Sequence, residues 1–451
     1  MKGDFTRNPV FVREQISRVL MQQGRVLLDS DWNEQNASLL HYLQSLAADL
    51  IGPFGGPAGP DLQGFAITPP ADGSKNDFAI SRGRYYVDGI LCEQPHSNLT
   101  YLGQYDYPIQ KGSAEANALS SQTSLIYLDV WERHITYVED QKIREVALGG
   151  PDTATRAKTV CQVKLQVKSP PNIPFPTKCT DINEKTWPMW RGLLEQPNRG
   201  MLVAQLRPDS ALSDACNISP GSKYRGAENQ LYRVEIHDGG IVGTEAPTFK
   251  WSRDNASVVY PILTLNGTEA LLSTLGKDDR TCIKVNDWME IEYDDSVLLG
   301  KPGDLLQVAS VDWAKMIVSF QTTSSIQFNV DQAQAKHALL RRWNSPAIPI
   351  HETASNLPDI AEGQWFDLED GIQVLFQFDT LRTRQKYRTG DYWLIPARVV
   401  TGEIDWPLET ALAPHGIIHH YAPLAAFTVG ATPPIVDLRR MINSNVMTKC
   451  T

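Results

Sequence analysis

Residues 127–164 read YLDVWERHITYVEDQKIREVALGGPDTATRAKTVCQVK, and this stretch is the most informative part of the chain. Two strand-like runs enclose a segment that is rich in paired charges, hydroxyl residues and the turn sequence Gly149-Gly150-Pro151. A catalytic loop of this size normally carries an identifiable nucleophile or metal cluster. Arg, Glu, Asp and Thr suit a fixed polar lattice or a contact surface better, so the stretch indicates assembly more than reaction.

The charges of this segment are predicted to form a structural ion network. Its members are Glu139, Asp140, Arg144 and Glu145 on one side and Arg156 and Lys158 on the other. Networks of this composition are more often structural than catalytic.

Strand signals dominate the chain after residue 60. Runs such as RYYVDGILCE and VCQVKLQVK are β-branched and aromatic, with Gly, Pro, Asn and Asp between them. Asp88-Gly89 is typical of a hairpin turn, because glycine tolerates the positive φ that such turns need. We therefore expect a mainly β protein of two or three small β-sandwich or barrel domains, with an N-terminal extended arm and one amphipathic helix.

The expected divisions follow the turn-rich breaks in the sequence. They are an N-terminal arm, helix and Gly/Pro linker at 1–60, a first β-domain at 61–245 with an insertion at 169–200, a second β-domain at 246–343 and a C-terminal β segment at 344–451.

Residues 1–60 carry the single well-signalled long helix, predicted from about Trp32 to Ile51. Asp29, Ser30 and Asp31 are N-cap candidates, and Gly52-Pro53 ends the helix. Its apolar residues recur at helical spacing: Leu39, Tyr42, Leu43, Leu46 and Leu50. Two interpretations stay open, a helix that covers one end of a β-core and a helix that docks on a partner. GPFGGPAGPDLQ at 52–63 is predicted to be a linker without regular structure.

Composition excludes several classes of protein. The 451 residues have a net charge of −10, which opposes general nucleic-acid binding because that needs an excess of Lys and Arg. We find no apolar run of membrane-spanning length and no hydrophobic signal core in MKGDFTRNPVFV, so neither direct membrane insertion nor Sec export is expected. Six scattered cysteines favour free thiols over zinc sites or a disulfide framework.

Histidines and carboxylates provide the candidates for chemistry. His415, His419 and His420 form the densest histidine group, yet Pro414 and Gly416 make a poor helix for metal binding, and polar turn residues are the favoured interpretation. On the strand that contains Asp129, Glu132 and His134, alternation places the last two on one face. A buried hydrogen-bonded pair is the commoner outcome there.

The acidic doublets Asp278-Asp279 and Asp294-Asp295 carry oxygen ligands suited to calcium, but they match no EF-hand and are predicted to be turn residues. GxSxG, P-loop and GxGxxG patterns are absent from the sequence. We therefore assign no catalytic residue, no cofactor and no metal, and expect a protein that is not an enzyme.

Several segments resemble an uncharacterised domain family that is encoded beside phage tail-like contractile injection systems and is sometimes fused to β-helix proteins. The resembling segments are FTRNPVFVREQISRVLMQQGRVLLDSDWNEQ at 5–35, GRYYVDGILCE at 83–93, LDVWERHITYVED and REVALGGPDTATRAK within 128–158, LYRVEIHDGG at 231–240, FKWSRDN at 249–255 and RTGDYWLIPAR at 388–398. The insertion at 169–200 lies outside the resemblance, and no β-helix follows here.

The resemblance implies a non-enzymatic structural component of such a particle: a baseplate, spike-adjacent or shell/cage subunit. Its expected partners are further copies of itself and other particle subunits, contacted through the N-terminal arm and helix. Synthesis in the bacterial cytoplasm without a Sec signal is expected, and the resemblance leaves open whether the particle is cytoplasmic, membrane-anchored or released.

The alternative function is a carbohydrate-binding or polysaccharide-degrading module. It rests on the β-helix fusions of relatives and on three tryptophans interpreted as exposed, Trp187, Trp190 and Trp365. A calcium-dependent adhesion protein is a third hypothesis, carried by the acidic doublets.

Overall fold

A computed structural model describes most of the chain. It excludes residues 8–15, 60–62, 70–76, 110–111, 114–115, 118, 120–121, 149–151, 196–199, 209–222, 243–244, 322–335, 351–363, 378–385, 409, 431–433, 444–445 and 451. The turn sequence at 149–151 and Cys216 therefore lie outside the described residues.

Strands make up most of the regular structure, so the predicted mainly β class is confirmed. The α-helices are α1 (Asp29–Ile51), α2 (Trp187–Leu194) and α3 (Asp294–Leu298), and short 3-10 helices lie at Gln141–Ile143, Val146–Leu148 and Cys179–Asp181.

The strands of the N-terminal half are β1 (Phe54–Pro57), β2 (Ile67–Thr68), β3 (Ala79–Ile80), β4 (Gly83–Val87), β5 (Ile90–Gln94), β6 (Leu99–Thr100), β7 (Ser124–Ile135), β8 (Arg156–Gln166), β9 (Met201–Leu206), β10 (Gln230–Ile236), β11 (Gly240–Ile241) and β12 (Thr248–Ser252). Those that follow are β13 (Val259–Asn266), β14 (Glu269–Leu272), β15 (Trp288–Glu292), β16 (Asp304–Asp312), β17 (Ile317–Gln321), β18 (Leu339–Trp343), β19 (Ile348–Pro349), β20 (Trp365–Asp367), β21 (Ile372–Gln377), β22 (Lys386–Tyr387), β23 (Tyr392–Arg398), β24 (Glu403–Ile404), β25 (His420–Phe427), β26 (Ile435–Asp437), β27 (Arg440–Asn443) and β28 (Val446–Cys450).

The stretch 127–164 forms a long antiparallel hairpin of β7 and β8, with Leu128 opposite Val163 in register. Strand β25 pairs with the other side of β7, placing Ala422 opposite Leu128, and β26 completes this sheet. A second sheet, β28-β27-β1-β4-β5, shares the same hydrophobic core, which we call the first core. The predicted hairpin turn is confirmed, since Val87 pairs with Ile90 around Asp88-Gly89.

The first core does not follow the expected division of the chain. It combines residues 54–194 with strands from 420–443, so the expected C-terminal segment at 344–451 contributes to two cores. The expected first β-domain at 61–245 is also divided, because β9 and β10 pack in the second core. Strand pairing over such sequence separations depends on buried faces that meet only in the fold, which local turn signals do not report.

The Gly/Pro linker prediction for 52–63 is wrong at β1. Strand β1 pairs antiparallel with β4 and parallel with β27, and Phe54 is buried in the first core. Gly56 permits this pairing, since a Cβ there would lie 2.8 Å from the Tyr85 ring. Tertiary pairing has therefore overridden a composition that disfavours strands.

The insertion at 169–200 is not only a surface loop. It contains α2, whose Trp187 and Trp190 are buried in the first core, so the interpretation of both as exposed is wrong. Trp187 packs edge-on against Phe54 with ring centroids 5.4 Å apart, and Trp190 packs against Phe175. Trp187 therefore packs on Phe54 of β1, and both residues belong to the first core.

The second core and the barrel complete the molecule. The second core lies between the sheets β19-β12-β10-β23-β24 and β20-β21-β9, with β11-β22 beside them. Strands β13-β14-β17-β16-β15-β18 close into a barrel with its own core, within the expected second β-domain at 246–343.

Helix α1 ends as predicted and begins differently. Gly52 adopts φ 87° and its N–H bonds to the Ala48 carbonyl, which terminates the helix. The helix begins three residues before the predicted start, and Leu28 occupies the N-cap without a side-chain cap. The Asp29 carboxylate instead accepts a hydrogen bond from the backbone N–H of Thr6 (3.0 Å), so the arm uses the group that was expected to cap the helix.

Candidate functional site

The outward face of α1 is apolar. The large apolar side chains exposed on this helix are Trp32, Leu39, Leu40, Tyr42, Leu43, Leu46 and Leu50. Trp32 is 73% exposed and Leu43 52%, although a helix beside a β-core normally turns such side chains inward. We call these seven residues the outward face.

The inward face of α1 carries small residues. Ser30 and Ser38 are buried, and Ala37 and Ala48 are half-buried. The helix contacts β1, β5 and β28, and it approaches the β4–β5 turn so closely that a Cβ on Gly89 would lie 2.0 Å from the Gln44 carbonyl oxygen. Small residues thus allow the helix to pack closely on the body, while its leucines face solvent.

The arm before α1 continues this apolar surface. Ile16, Leu20, Met21, Val26, Leu27 and Leu28 are exposed. The Val19 N–H donates to the Gln35 side-chain oxygen (2.9 Å), which ties the arm to the helix. All seven side chains of the outward face are exposed, whereas the helix itself contacts β1, β5 and β28. That the outward face docks on a partner stays a prediction.

The first residues of the chain are held at the junction of the second core and the barrel. The Lys2 ammonium lies 2.6 Å from Glu292 and 3.2 Å from Glu235. Asn255 donates to the Gly3 carbonyl (2.8 Å), and the Met1 amino group donates to the Tyr392 hydroxyl (3.0 Å).

Lys2 joins a buried ion network that links the second core to the barrel. Its other members are Arg233 and Glu235 on β10, Lys250 on β12, Glu290 and Glu292 on β15 and Arg341 on β18. Trp343 donates its indole N–H to Glu290 (2.8 Å), and the Lys250 ammonium lies 4.3 Å from the centre of the Trp343 ring. No local motif marked this network, because its members come from five separate segments.

The network favours the ionised forms of Glu235 and Glu292. Burial acts to raise the pKa of Glu235, but the charges of Lys2, Arg233 and Lys250 outweigh it and lower the pKa to about 2. Burial likewise opposes ionisation of Glu292, whose pKa is nevertheless lowered by Arg341 and Lys2. Strong acids that are paired and nearly inaccessible suit a rigid joint better than proton transfer.

The three predicted histidines do not converge. His419 Nδ1 lies 2.7 Å from Asp129, and His420 Nδ1 lies 2.9 Å from Asp88. His415 pairs through its backbone with Tyr392, and burial lowers the pKa of its imidazole. The three histidines therefore do not meet at one site, and the interpretation as turn residues is wrong at His420, which begins strand β25 opposite Val130.

Glu132 and His134 share a face of β7 but do not bond to each other. His134 Nε2 lies 2.8 Å from the Thr155 hydroxyl, and Glu132 is exposed. Burial, followed by nearby cations, lowers the pKa of His134 to about 3. Asp129, on the other face, is paired with His419 and Lys164 (2.7 Å).

The predicted ion network of the segment 136–158 does not form as expected. Glu139 lies 3.8 Å from Arg133, and Arg144 stacks on the Tyr137 ring. Lys158 pairs with Asp106 at 2.8 Å. Arg156 lies opposite Ile135 in register and donates to the backbone carbonyls of Ala154 and Thr155.

The acidic doublets are occupied by protein partners. Asp278 accepts from the backbone and hydroxyl of Thr281, which is the predicted turn role. The turn prediction is wrong for Asp294-Asp295, which begin helix α3. Asp294 pairs with Arg133 (2.6 Å) and His337 (2.7 Å), and so connects the barrel to β7. Within the described ranges, we find no group of three or more His, Cys, Asp or Glu that could hold a metal ion.

A surface cleft of about 550 Å³ lies beside β4, β5 and β8. Tyr105 is 72% exposed at its edge, and its ring packs against His96 with centroids 4.6 Å apart. Glu93 and the Asp106–Lys158 pair also line the cleft. No sequence pattern predicts this pair of rings, because His96 and Tyr105 lie in loops on either side of β6.

The cysteines differ in state. Cys92, Cys161 and Cys282 are free, whereas Cys179 is disulfide-bonded, so the expectation of free thiols is wrong at Cys179.

Among the helices that the structure describes, none has the length and apolarity needed to cross a membrane.

Comparison with known proteins identifies one similarity. A family model described as "Family of unknown function (DUF6519)" matches residues 1–172 and 196–430. The interval between the two matched parts, 173–195, falls inside the insertion and contains α2. No curated protein and no solved structure matches the chain.

Proposed function

We propose that this chain, which belongs to DUF6519, a family of unknown function, is a non-enzymatic structural component of a phage tail-like contractile injection particle. It acts through contacts between subunits, as a baseplate, spike-adjacent or shell/cage part. The particle itself is suggested by the resemblance of the segments at 5–35 and 128–158, and the mode of action by the geometry of α1.

The observation that carries the proposal is the outward face of α1 together with the apolar arm. Monomeric proteins rarely expose contiguous apolar patches larger than about 300–600 Å². Thirteen large apolar side chains between Ile16 and Leu50 are exposed. A complete aromatic side chain presents about 150–250 Å² and an aliphatic one somewhat less, so the exposed parts of the thirteen amount to on the order of 1,000 Å². A surface of this size favours a docking interface.

The buried ion network supports a fixed arm. Lys2 is held by two glutamates from different cores, so the chain leaves the body at a defined place. Helix α1 packs closely on the β4–β5 turn at Gly89, so the helix presents its outward face in one orientation. Such preorganisation reduces the entropy lost when a subunit docks.

Particle incorporation tests the proposal. In a strain that makes the particles, the chromosomal copy is deleted and replaced by wild type or by Leu43→Asp/Leu46→Asp on the outward face. His41→Asp/Ser45→Asp, two exposed positions of the same helix outside that face, is the matched control. Mass spectrometry of purified particles should find wild type and control but not the outward-face variant. Absence of the wild-type chain from intact particles would refute the proposal.

Carbohydrate binding is the second candidate, and the cleft beside Tyr105 favours it. An exposed aromatic ring next to carboxylates and cations offers a stacking face with hydrogen-bonding groups around it. The buried Trp187 and Trp190 do not contribute, and Trp365 lies elsewhere on β20. A glycan array and a reducing-sugar assay test this role. Specific binding lost in Tyr105→Ala and kept in Trp313→Ala, an exposed aromatic control, would favour this candidate over the first.

A further inference from the structure

Six side chains of α1 follow a heptad repeat. Positions a are Asn36, Leu43 and Leu50, and positions d are Trp32, Leu39 and Leu46. All six are exposed. The spacing of three and four residues is that of the seam in a coiled coil, and it persists from Trp32 to Leu50; the preceding a position holds Asp29.

This seam lies opposite the body of the protein. The residues that face the body are Ser30, Ala37, Gln44 and Ile51, which occupy positions b of the same repeat, with Ser38 at a position c. On a helical wheel these positions are centred about half a turn from the a and d positions. The side of α1 that packs on the sheet is thus distinct from the side that carries the repeat, and both can be occupied at once.

We propose that the seam pairs with the same seam of other copies of this chain, in a parallel coiled coil or helical bundle. This inference rests on the proposed function, since it names the partner of the assembly surface. The exposed parts of the seam and of the flanking Leu40 and Tyr42 amount to roughly 700 Å² for each copy. A standard stable interface takes about 800 Å² from each partner.

Asn36 favours a second copy over an unrelated partner. It is the single polar residue of the seam and is exposed at an a position. In a parallel self-association, symmetry places Asn36 opposite Asn36, and each amide can donate to and accept from the other. The Asn36 amide donates to the Trp32 carbonyl within the helix (2.9 Å), and against an apolar partner its Oδ1 would be buried without a hydrogen bond, which is costly. A single Asn at an a position is also known to fix register and oligomeric state.

The charges around the seam are consistent with this pairing. The flanking e positions are Asn33, Leu40 and Ala47, and the g positions are Gln35, Tyr42 and Asp49. Asp49 is the one acidic residue among them and none is basic, so neither repulsion between copies nor attraction to a basic partner dominates. The acidic groups of the first turn are already engaged by the arm, since Asp29 binds Thr6 and Asp31 lies 3.6 Å from Arg7.

Sedimentation velocity and light scattering on the purified full chain test the inference. Wild type should sediment as a concentration-dependent oligomer, and Leu43→Asp/Leu46→Asp should be monomeric. The control His41→Asp/Ser45→Asp adds the same charges at f and c positions and should behave as wild type. Thermal melting of the body should be alike in all three, since the substituted positions are exposed and the buried residues of α1 are Ser30 and Ser38. A folded seam variant that still associates would overturn the proposal.

Cross-linking tests the register. Under mild oxidation Asn36→Cys should give a chain-to-chain disulfide on a non-reducing gel, whereas Ser45→Cys and wild type should not. An oligomer that fails to cross-link through position 36 would overturn the parallel pairing. A wild-type chain that is monomeric in solution yet present in particles would overturn this inference and leave the proposed function standing. An oligomer that is absent from particles would do the reverse.

Discussion

Lys2 and Glu292 are separated by 290 residues, and the lysine Nζ lies 2.6 Å from the glutamate Oε1. This contact holds the start of the arm on barrel strand β15. The same ammonium lies 3.2 Å from Glu235 on β10 of the second core, so one side chain connects three parts of the molecule. The arm is therefore packed into the fold at Lys2, and it exposes apolar side chains between Ile16 and Leu28.

Removal of the Lys2 charge should destabilise the protein. Lys2→Ala leaves two buried carboxylates with one cation fewer, and breaking a buried pair in this way costs about 3 kcal/mol. Chemical denaturation should show this loss. Lys315→Ala is the control, because its ion pair with Asp312 is exposed and should contribute less than about 0.5 kcal/mol. Equal midpoints for Lys2→Ala and wild type would contradict the role of the contact.

The ion network should make stability depend on acid. The pKa of Glu235 is about 2 in the folded protein against a usual value of 4.5. A lowered folded pKa contributes stability that is complete above pH 4.5 and is lost as the pH falls towards 2. The contribution of Glu235 is on the order of 3 kcal/mol. Denaturation midpoints measured from pH 6 to pH 2.5 should fall less steeply in Glu235→Gln than in wild type, and parallel curves would contradict the assignment.

Gly89 should be the most sensitive point of the contact between α1 and the body. It has φ 80°, and a Cβ would lie 2.0 Å from the Gln44 carbonyl oxygen. Gly267→Ala is a matched control, since that glycine has φ 57° and nothing within 4 Å of a built Cβ. Gly89→Ala should cost on the order of 2 kcal/mol more than the control. It should also speed proteolysis within α1; equal effects of the two changes would contradict the close packing.

Cys92 should resist alkylation although its thiol is free. Its hydrogen bond with Cys161, together with burial, raises the pKa of the Cys92 thiol. The thiolate is the reactive form, so a raised pKa and an inaccessible sulfur both slow the reaction. Peptide mass spectrometry after timed iodoacetamide treatment should find Cys282 modified well before Cys92. Equal rates in the native protein would show that the strands β5 and β8 open more readily than their packing indicates.

Local features of the fold followed from the sequence. The hairpin at Asp88-Gly89, the end of α1 at Gly52 and the strand runs around residues 127–164 each depend on neighbouring residues. The turn glycine and the alternation of β-branched residues carry that information without help from the rest of the chain.

Long-range features did not follow. The pairing of β25 with β7, the strand at Phe54–Pro57 and the burial of Trp190 all depend on segments far away in sequence. The ion network around Lys2 has the same origin, because separate strands deliver its charges to one place. For the candidate interface, the sequence predicted that 1–60 carries an arm and helix, but which face of α1 is free became visible only once its small residues were seen to contact the body.

Incorporation of the outward-face variant into particles is the most direct test of the central claim that α1 joins subunits. Deletion of 1–60 would also remove Lys2 and β1, so Leu43→Asp/Leu46→Asp is the cleaner change. We expect a folded chain, detected in the cell at wild-type abundance, that is missing from purified particles while the His41→Asp/Ser45→Asp control is present. Incorporation of both variants at the wild-type level would contradict the account.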